Sequence, residues 1–289
     1  MQGTTKWRRV TKDAPCGVCG KTSWCTVAEG AAHCMRVESE KPVESGGWIH
    51  AVEVVLPRLT RPVKRLTPDE VESLVRGCER HPRAQAQRTS LARRLGVSVR
   101  SLERLHVGCG ADKRSGLEFS SWPERDARGA FTGLVRRYAD GVKKTYPGTS
   151  HGLIYADDWR GDGRVVLVPE GGSDTAALLS LGLSAIGRPS NLGGVKLLTQ
   201  LLKGYRGCVV VLGENDQKAR ETCRCGVCNY CWPGRFGAVE TAKKLQSRGY
   251  RVWWCVLPDA KDVRAWCEAN PFASAGDLLQ VVRDNARRV

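Results

Sequence analysis

Four short apolar runs recur in the second half of the chain: VVLVP at 165–169, LSAIG at 183–187, CVVVL at 208–212 and RVWWCV at 251–256. Each is rich in β-branched or aromatic residues and bounded by polar residues or glycine, the pattern of a strand buried on both faces. Helix-like segments separate them. Gly171 and Gly172 read as a turn, Ser173 or Asp174 as the cap of a helix over 175–181, and Gly182 as its stop. A second helix over 195–203 ends at Gly204, and a third over 236–247 closes at Gly249. Strands alternating with helices demand a parallel sheet with right-handed crossovers, whose ligands gather beyond the carboxyl ends of the strands.

That edge is acidic. Glu170 follows the first run, Glu214 and Asp216 the third, and Asp259 and Asp262 the fourth. A single acid after a strand is ordinarily a helix cap or a solvated turn residue, but acids at three strand ends converge. Converging carboxylates repel one another and call for a cation between them, magnesium or manganese. The layout resembles the Toprim domain of bacterial and phage DnaG-type primases, topoisomerases and some nucleases. Glu170 in PEGGSDTAA matches the family's glutamate, Glu214 and Asp216 its acidic pair, and Asp262 in AKDVRAW its last acid. PGRFGA, at 233–238, resembles the segment that opens the helix after that pair, and the resemblance covers about residues 163–270. It departs from the pattern at Glu214, where the family has aspartate. The resemblance implies catalytic residues Glu170, Glu214, Asp216 and Asp262 holding a pair of magnesium ions, with Glu170 either a ligand or an acid or base. Glu214 is a ligand or a residue one bond removed from the metal.

The 289 residues carry a formal charge of +16, which favours a polyanionic partner, nucleic acid before membrane. No apolar run reaches the length of a membrane span, and MQGTTKWRRV lacks the apolar core of a signal peptide, so a cytoplasmic protein is expected. Of thirteen cysteines, eight fall in two tight clusters, which in such a compartment indicates metal rather than disulfides. Cys16, Cys19, Cys25 and Cys34 offer a CxxC knuckle and two further thiolates, a closed tetrahedral set for structural zinc. His33 and His50 are possible substitute ligands. This segment resembles the zinc ribbon of primases, which engages single-stranded template. Trp7, Trp24 and Trp48 with Arg8, Arg9, Lys21 and Arg36 supply stacking faces and cations for that task, although Trp24 and Trp48 serve equally as core for so small a domain. Cys223, Cys225, Cys228 and Cys231 form the second cluster, for which zinc is preferred over an iron–sulfur group and which would pin a loop beside the acids. Cys78, Cys109, Cys208, Cys255 and Cys267 read as buried thiols.

Between ribbon and acids the chain reads as a basic linker with a short strand over 51–66, then three helices. Thr67, Pro68 and Glu70 make a capping box, Gly96 stops a helix over 84–95, and Ser98 caps a helix over 99–105. The last two resemble a helix-turn-helix, a pattern that packing helices share. From 117 to 146 the period becomes two, giving a small antiparallel sheet that presents Arg136, Arg137, Lys143, Lys144 and Tyr146. It resembles the basic subdomain that faces the acids in primases and binds template and nucleotides; on residue type alone it is also an ordinary solvated face.

The expected architecture is therefore α/β: a zinc ribbon over 1–55, a linker and helical segment over 56–110, a basic antiparallel subdomain over 111–162, and a Toprim-type parallel sheet over 163–289 with the cysteine insert at 223–231. The resemblance implies a primase-like nucleotidyltransferase that makes short RNA primers from nucleoside triphosphates on single-stranded DNA. No helicase is expected to be fused to it, so a separate helicase or a plasmid or phage replication protein would be its partner. A Toprim nuclease and a non-catalytic zinc-ribbon nucleic-acid-binding factor are the alternatives.

Overall fold

The computed structural model describes residues 7–28, 30–44, 46–52, 64–112, 115–218, 225, 227–229 and 231–289. The chain divides into two units, Met1–Val63 and Lys64–Val289.

The first unit has too few large apolar side chains for an ordinary core, and thiols take their place. Cys16, Cys25 and Cys34 are buried together with Val10, while Cys19, Val18, Val27 and Met35 close around them. Four antiparallel strands carry this cluster in sequence order: β1 (Arg8–Arg9), β2 (Thr26–Ala28), β3 (Ala31–Cys34) and β4 (Trp48–Ala51). Trp24 does not serve as core, being 65% exposed at a φ of 73°. Most of the sequence-predicted linker, residues 53–63, lies outside the described residues.

The second unit opens with α1 (Pro68–Glu79), whose Thr67–Glu70 capping box forms as the sequence requires. The helices α2 (Ala84–Leu95) and α3 (Val99–Arg104) follow, the first ended by Gly96 in the left-handed conformation and the second capped by Ser98. An antiparallel sheet comes next, in the order β5 (Gly108–Ala111), β6 (Glu118–Arg125), β7 (Phe131–Tyr138), β8 (Lys143–Thr145). Val71, Val75 and Cys78 of α1 cover one face of it, against Phe119, Phe131, Leu134 and Tyr138.

The parallel sheet is built from β9 (Val165–Val168), β10 (Cys208–Gly213) and β11 (Arg251–Val256), with β10 central. Its helices are α4 (Gly171–Ser180), α5 (Val195–Leu201), α6 (Pro233–Gln246), α7 (Val263–Ala269) and α8 (Ala275–Asn285). Successive strand residues point to opposite faces, and both faces are apolar. Leu167, Val210, Leu212 and Cys255 join α2, α3, α4, α7 and α8 in one core, while Val166, Val168, Val209, Val211 and Val252 join α5 and α6 in the other. Truncating a fully buried residue such as Leu167 to alanine would cost about 2–5 kcal/mol.

Several expectations are corrected here. LSAIG pairs in parallel with β9 through one bridge, Leu167–Ala185, followed beyond both segments by one at Glu170–Arg188, and forms no regular strand. Helix α4 starts at Gly171, so the two glycines belong to its first turn and Glu170, not Ser173 or Asp174, occupies the cap. Gly172 is required there because a Cβ would overlap the Trp122 ring. Helix α6 starts at Pro233, three residues ahead of expectation, since proline suits a first helical position. Leu91 and Leu95 of α2 and Leu102 of α3 lie in the shared core. Ser101 of α3 is buried and receives a hydrogen bond from Ser180 Oγ of α4 at 3.0 Å, so this helix pair is a packing unit.

Candidate metal centre

The carboxyl ends of β9 and β10, with the loop after β11, bring acids together. Glu170 leaves β9, Glu214 and Asp216 leave β10, and Asp262 caps α7 through its Oδ1, which accepts from Ala265 N at 2.7 Å. Asn215 staples two of these loops: its N–H donates to Lys261 O at 2.6 Å and its Nδ2 to Leu257 O and Pro258 O at 3.2 and 3.1 Å. Asp259, also expected at this edge, is exposed and does not join the cluster.

Among the described residues, Asp174, Glu214 and Asp262 each place a carboxylate oxygen within 4.8 Å of the other two. Asp174 is a residue that the sequence reading used only as a cap. It stands one helical turn after Glu170, so both face the same side of α4, and this i, i+4 spacing is the signal that could have found it. Burial pushes Asp174 up to about 8, with Asp262 and Glu214 adding repulsion against the Arg264 N–H that donates to it at 3.0 Å. Glu170 is also raised, by burial and then by Glu214, with Arg188 and Lys143 opposing. Asp216 Oδ1 accepts from Gly234 N at 2.9 Å, at the start of α6.

Arg188, in the loop after LSAIG, is fully buried behind these acids. It donates to Leu212 O at 3.1 Å, to Thr241 Oγ1 at 3.2 Å and to Asn191 O. Burial lowers its guanidinium to about 10, and Glu170 and Glu214 resist that fall. An arginine directly after an apolar run was its only sequence signal.

The antiparallel sheet of this unit supplies the facing cations, but only half of the expected set. Arg137 pairs with Lys143 and Arg136 with Lys144 across β7 and β8, so the period of two sends the pairs to opposite faces. Arg137 and Lys143 line a cavity with Trp122, Glu124, Ser173 and Pro189, and both feel the acids: Asp174 acts on Arg137 and Lys143 on Glu170. Arg136 is instead buried, ion-paired with Asp112, and lies over the Phe119, Tyr138 and Tyr146 rings at 5.9, 5.9 and 5.3 Å. Lys144 lies over Tyr138 at 5.7 Å. Arg136, Lys144 and Tyr146 thus lie on the α1 side of the sheet, Arg136 buried and Lys144 exposed.

The chemistry of both donor sets is explicit. Three clustered carboxylates are hard oxygen donors suited to magnesium or manganese. Cys16, Cys19, Cys25 and Cys34 converge within the same limit, as zinc requires. Gly20 N donates to Cys16 O at 2.8 Å to form the knuckle. Burial works against ionisation of Cys19, yet the Lys21 N–H and neighbouring thiols outweigh it and bring it down to about 7, while burial drives Cys25 up to about 12. His33 and His50 bond carbonyls, Gly46 O at 2.6 Å and Val37 O at 3.0 Å. Of the second cluster, Cys225, Cys228 and Cys231 converge, and Cys223 lies outside the described residues. Among the described residues no helix is long and apolar enough to cross a membrane.

No protein-family model matches the sequence, and no curated protein does. Solved structures do. A DNA primase domain from Pseudomonas aeruginosa is similar at TM-score 0.54 and 14% identity, over 75% of this chain and 78% of that one. A DnaG primase catalytic domain bound to single-stranded DNA is similar at TM-score 0.54 and 15% identity, over 76% and 78%. The Aquifex aeolicus primase, comprising zinc-binding and RNA polymerase domains, is similar at TM-score 0.56 and 14% identity, over 76% of this chain and 62% of that one. The fold is that of the DnaG-type primase catalytic core.

Proposed function

We propose that this protein is a primase-like nucleotidyltransferase that joins nucleoside triphosphates into short RNA primers on single-stranded DNA. The observation that carries the reading is the acidic cluster of Asp174, Glu214 and Asp262, flanked by Glu170 and Asp216, with Arg137 and Lys143 opposite. Magnesium or manganese held by these acids would activate the primer 3′ hydroxyl and neutralise the departing pyrophosphate. The chain's own part is positional. Asn215 and the Asp262 cap fix the loops that carry the acids, and Arg188 holds the end of β10 from behind. Arg137 and Lys143 would hold template or triphosphate phosphates, consistent with the single-stranded DNA bound by one similar primase domain.

In the same reading the cysteines of residues 1–55 hold a zinc ion and that ribbon presents template, 111–162 is the basic subdomain, and 163–289 is the Toprim domain. Residues 56–110 connect them, with α2 and α3 built into the core. A replicative helicase or a plasmid or phage replication protein would recruit the enzyme. Incubating purified protein with single-stranded DNA, magnesium and nucleoside triphosphates tests the reading. Short RNA products are expected; cleavage of the DNA without synthesis would transfer the same acids to a nuclease, and no metal-dependent turnover of either kind would leave a binding protein.

A further inference from the structure

The second cysteine cluster sits between the acids and helix α6, and its backbone is bonded to both. Cys225, Cys228 and Cys231 bring their sulfurs within 4.8 Å of one another, and Cys228 N donates to Cys225 Sγ at 3.4 Å, a thiolate knuckle. Cys231 is almost fully buried, and its carbonyl accepts from Lys218 N at 2.7 Å. The next residue, Trp232, has its own N–H on Cys228 O at 3.0 Å and its indole Nε1 on Glu214 O at 3.2 Å. Two residues on, Gly234 N donates to Asp216 Oδ1, and a Cβ at Gly234 would collide with the Glu214 backbone. Asn191 adds a brace, with Nδ2 on Asn229 Oδ1 at 3.2 Å and Pro233 O at 3.3 Å. The acid loop is thus held at Glu214, Asp216 and Lys218 by a segment whose own shape depends on three thiols.

We propose that a zinc ion bound by Cys225, Cys228 and Cys231 clamps the acid loop through Trp232, so that divalent-cation affinity at the carboxylates depends on zinc at the thiolates. Trp232 is a positioning residue: it touches the backbone of Glu214 and no reacting atom. Thiolates select zinc and carboxylates select magnesium or manganese, so each ion keeps to its own site. The dependence of cation affinity rests on the reading of the acids as a metal centre; the clamp itself does not.

Cys228→Ser and Trp232→Phe in the full chain test the clamp by zinc content, amide hydrogen exchange and Mn²⁺ binding followed by electron paramagnetic resonance. Cys228→Ser is expected to lose about one zinc per chain. Exchange at the Lys218 and Gly234 amides should rise, and Mn²⁺ affinity should fall about tenfold or more, as on losing the outer supports of a metal site. Trp232→Phe keeps an aromatic side chain and removes the indole donor to Glu214, so it should retain zinc and still weaken Mn²⁺ binding severalfold. Full zinc retention in Cys228→Ser, or zinc loss with exchange unchanged at both amides, would overturn the clamp. Wild-type behaviour of Trp232→Phe in both exchange and Mn²⁺ affinity would overturn the indole's role. Mn²⁺ binding indifferent to Glu214→Gln would overturn the reading of the acids, leaving exchange to decide the clamp alone.

Discussion

The network around His106 and the carboxylates at the sheet edge are made of the same kinds of side chain, and they are balanced differently. In the first, His106 lies between Glu79 at 2.9 Å from its Nδ1 and Asp157 at its Nε2. Arg76 pairs with Glu79 at 2.9 Å and Arg125 with Asp157, and both guanidiniums lie over Phe131, at 5.3 and 4.1 Å. Every carboxylate there has a cation, so the network ties α1, β6 and β7 together and has nothing left to offer a ligand. At the sheet edge, the only ion pair among the described residues is Lys261 with Glu214, at 3.7 Å. Asp174, Asp216 and Asp262 are met by backbone N–H groups alone. Charge that the protein neutralises for itself is structural, whereas charge left in surplus in a partly buried cluster awaits a cation.

Substitution should separate the two regions most sharply through rate. Asp216→Ala and Asp174→Asn should retain the fold and lose primer synthesis by about a hundredfold or more, the loss of charge stabilisation worth several kcal/mol. Normal synthesis by either variant, with contaminating polymerase excluded, would remove the metal mechanism. The converse holds for His106→Ala, which leaves Glu79 and Asp157 facing each other without the imidazole. It should cost about 1–3 kcal/mol, discounted because both acids are partly exposed. The melting temperature should then fall by about 2–4 °C per kcal/mol, with the rate per folded molecule unchanged. A rate collapse without destabilisation would mean the network acts on the chemistry.

Smaller, and specific to the sheet edge, is the pH dependence. Asp174 is raised from 3.8 to about 8, so in divalent-free protein it holds a proton at neutral pH. A raised folded pKa contributes stability that is fully present below the unfolded value and is lost as pH rises through about 8; Asp174→Asn should flatten that decline. A cation must displace the proton, so Mn²⁺ affinity should climb by up to about tenfold per pH unit below pH 8 and level off above it. Affinity independent of pH between 6 and 8 would show that Asp174 is not a ligand.

Much of this was legible because burial on both faces leaves a plain mark. The runs at 165–168, 208–212 and 251–256 become β9, β10 and β11 nearly as read, and the acids that follow them, Asp259 apart, reach one edge. What the sequence concealed depends on contacts between elements. Asp174 beside Ser173 reads as a cap until α4 is seen to start at Gly171, which turns it inward. Arg188 reads as a loop cation until β10 and α6 close over it. The period of two in RRY is evident, but which face meets α1 and which meets the acids is decided by packing outside the strand.

That last ambiguity yields the smallest effect expected here and the finest test of how the sheet is used. If Arg137 and Lys143 hold phosphates, the double change Arg137→Gln, Lys143→Gln removes their charge while leaving polar side chains in place. Each phosphate contact with a single strand contributes about 0.7 to the slope of log affinity against log salt, so the slope should fall by about 1.4. Lys144→Gln, on the face held by α1 and the tyrosines, should leave the slope unchanged although the residue is exposed and adjacent. Arg136→Gln should register as lost stability, since Asp112 and three aromatic rings lose their cation. A flattened slope in Lys144→Gln together with an unaltered one in the double variant would place nucleic acid on the opposite face of the sheet, away from the acids. The charge surplus at the sheet edge would then have no polyanion to work on.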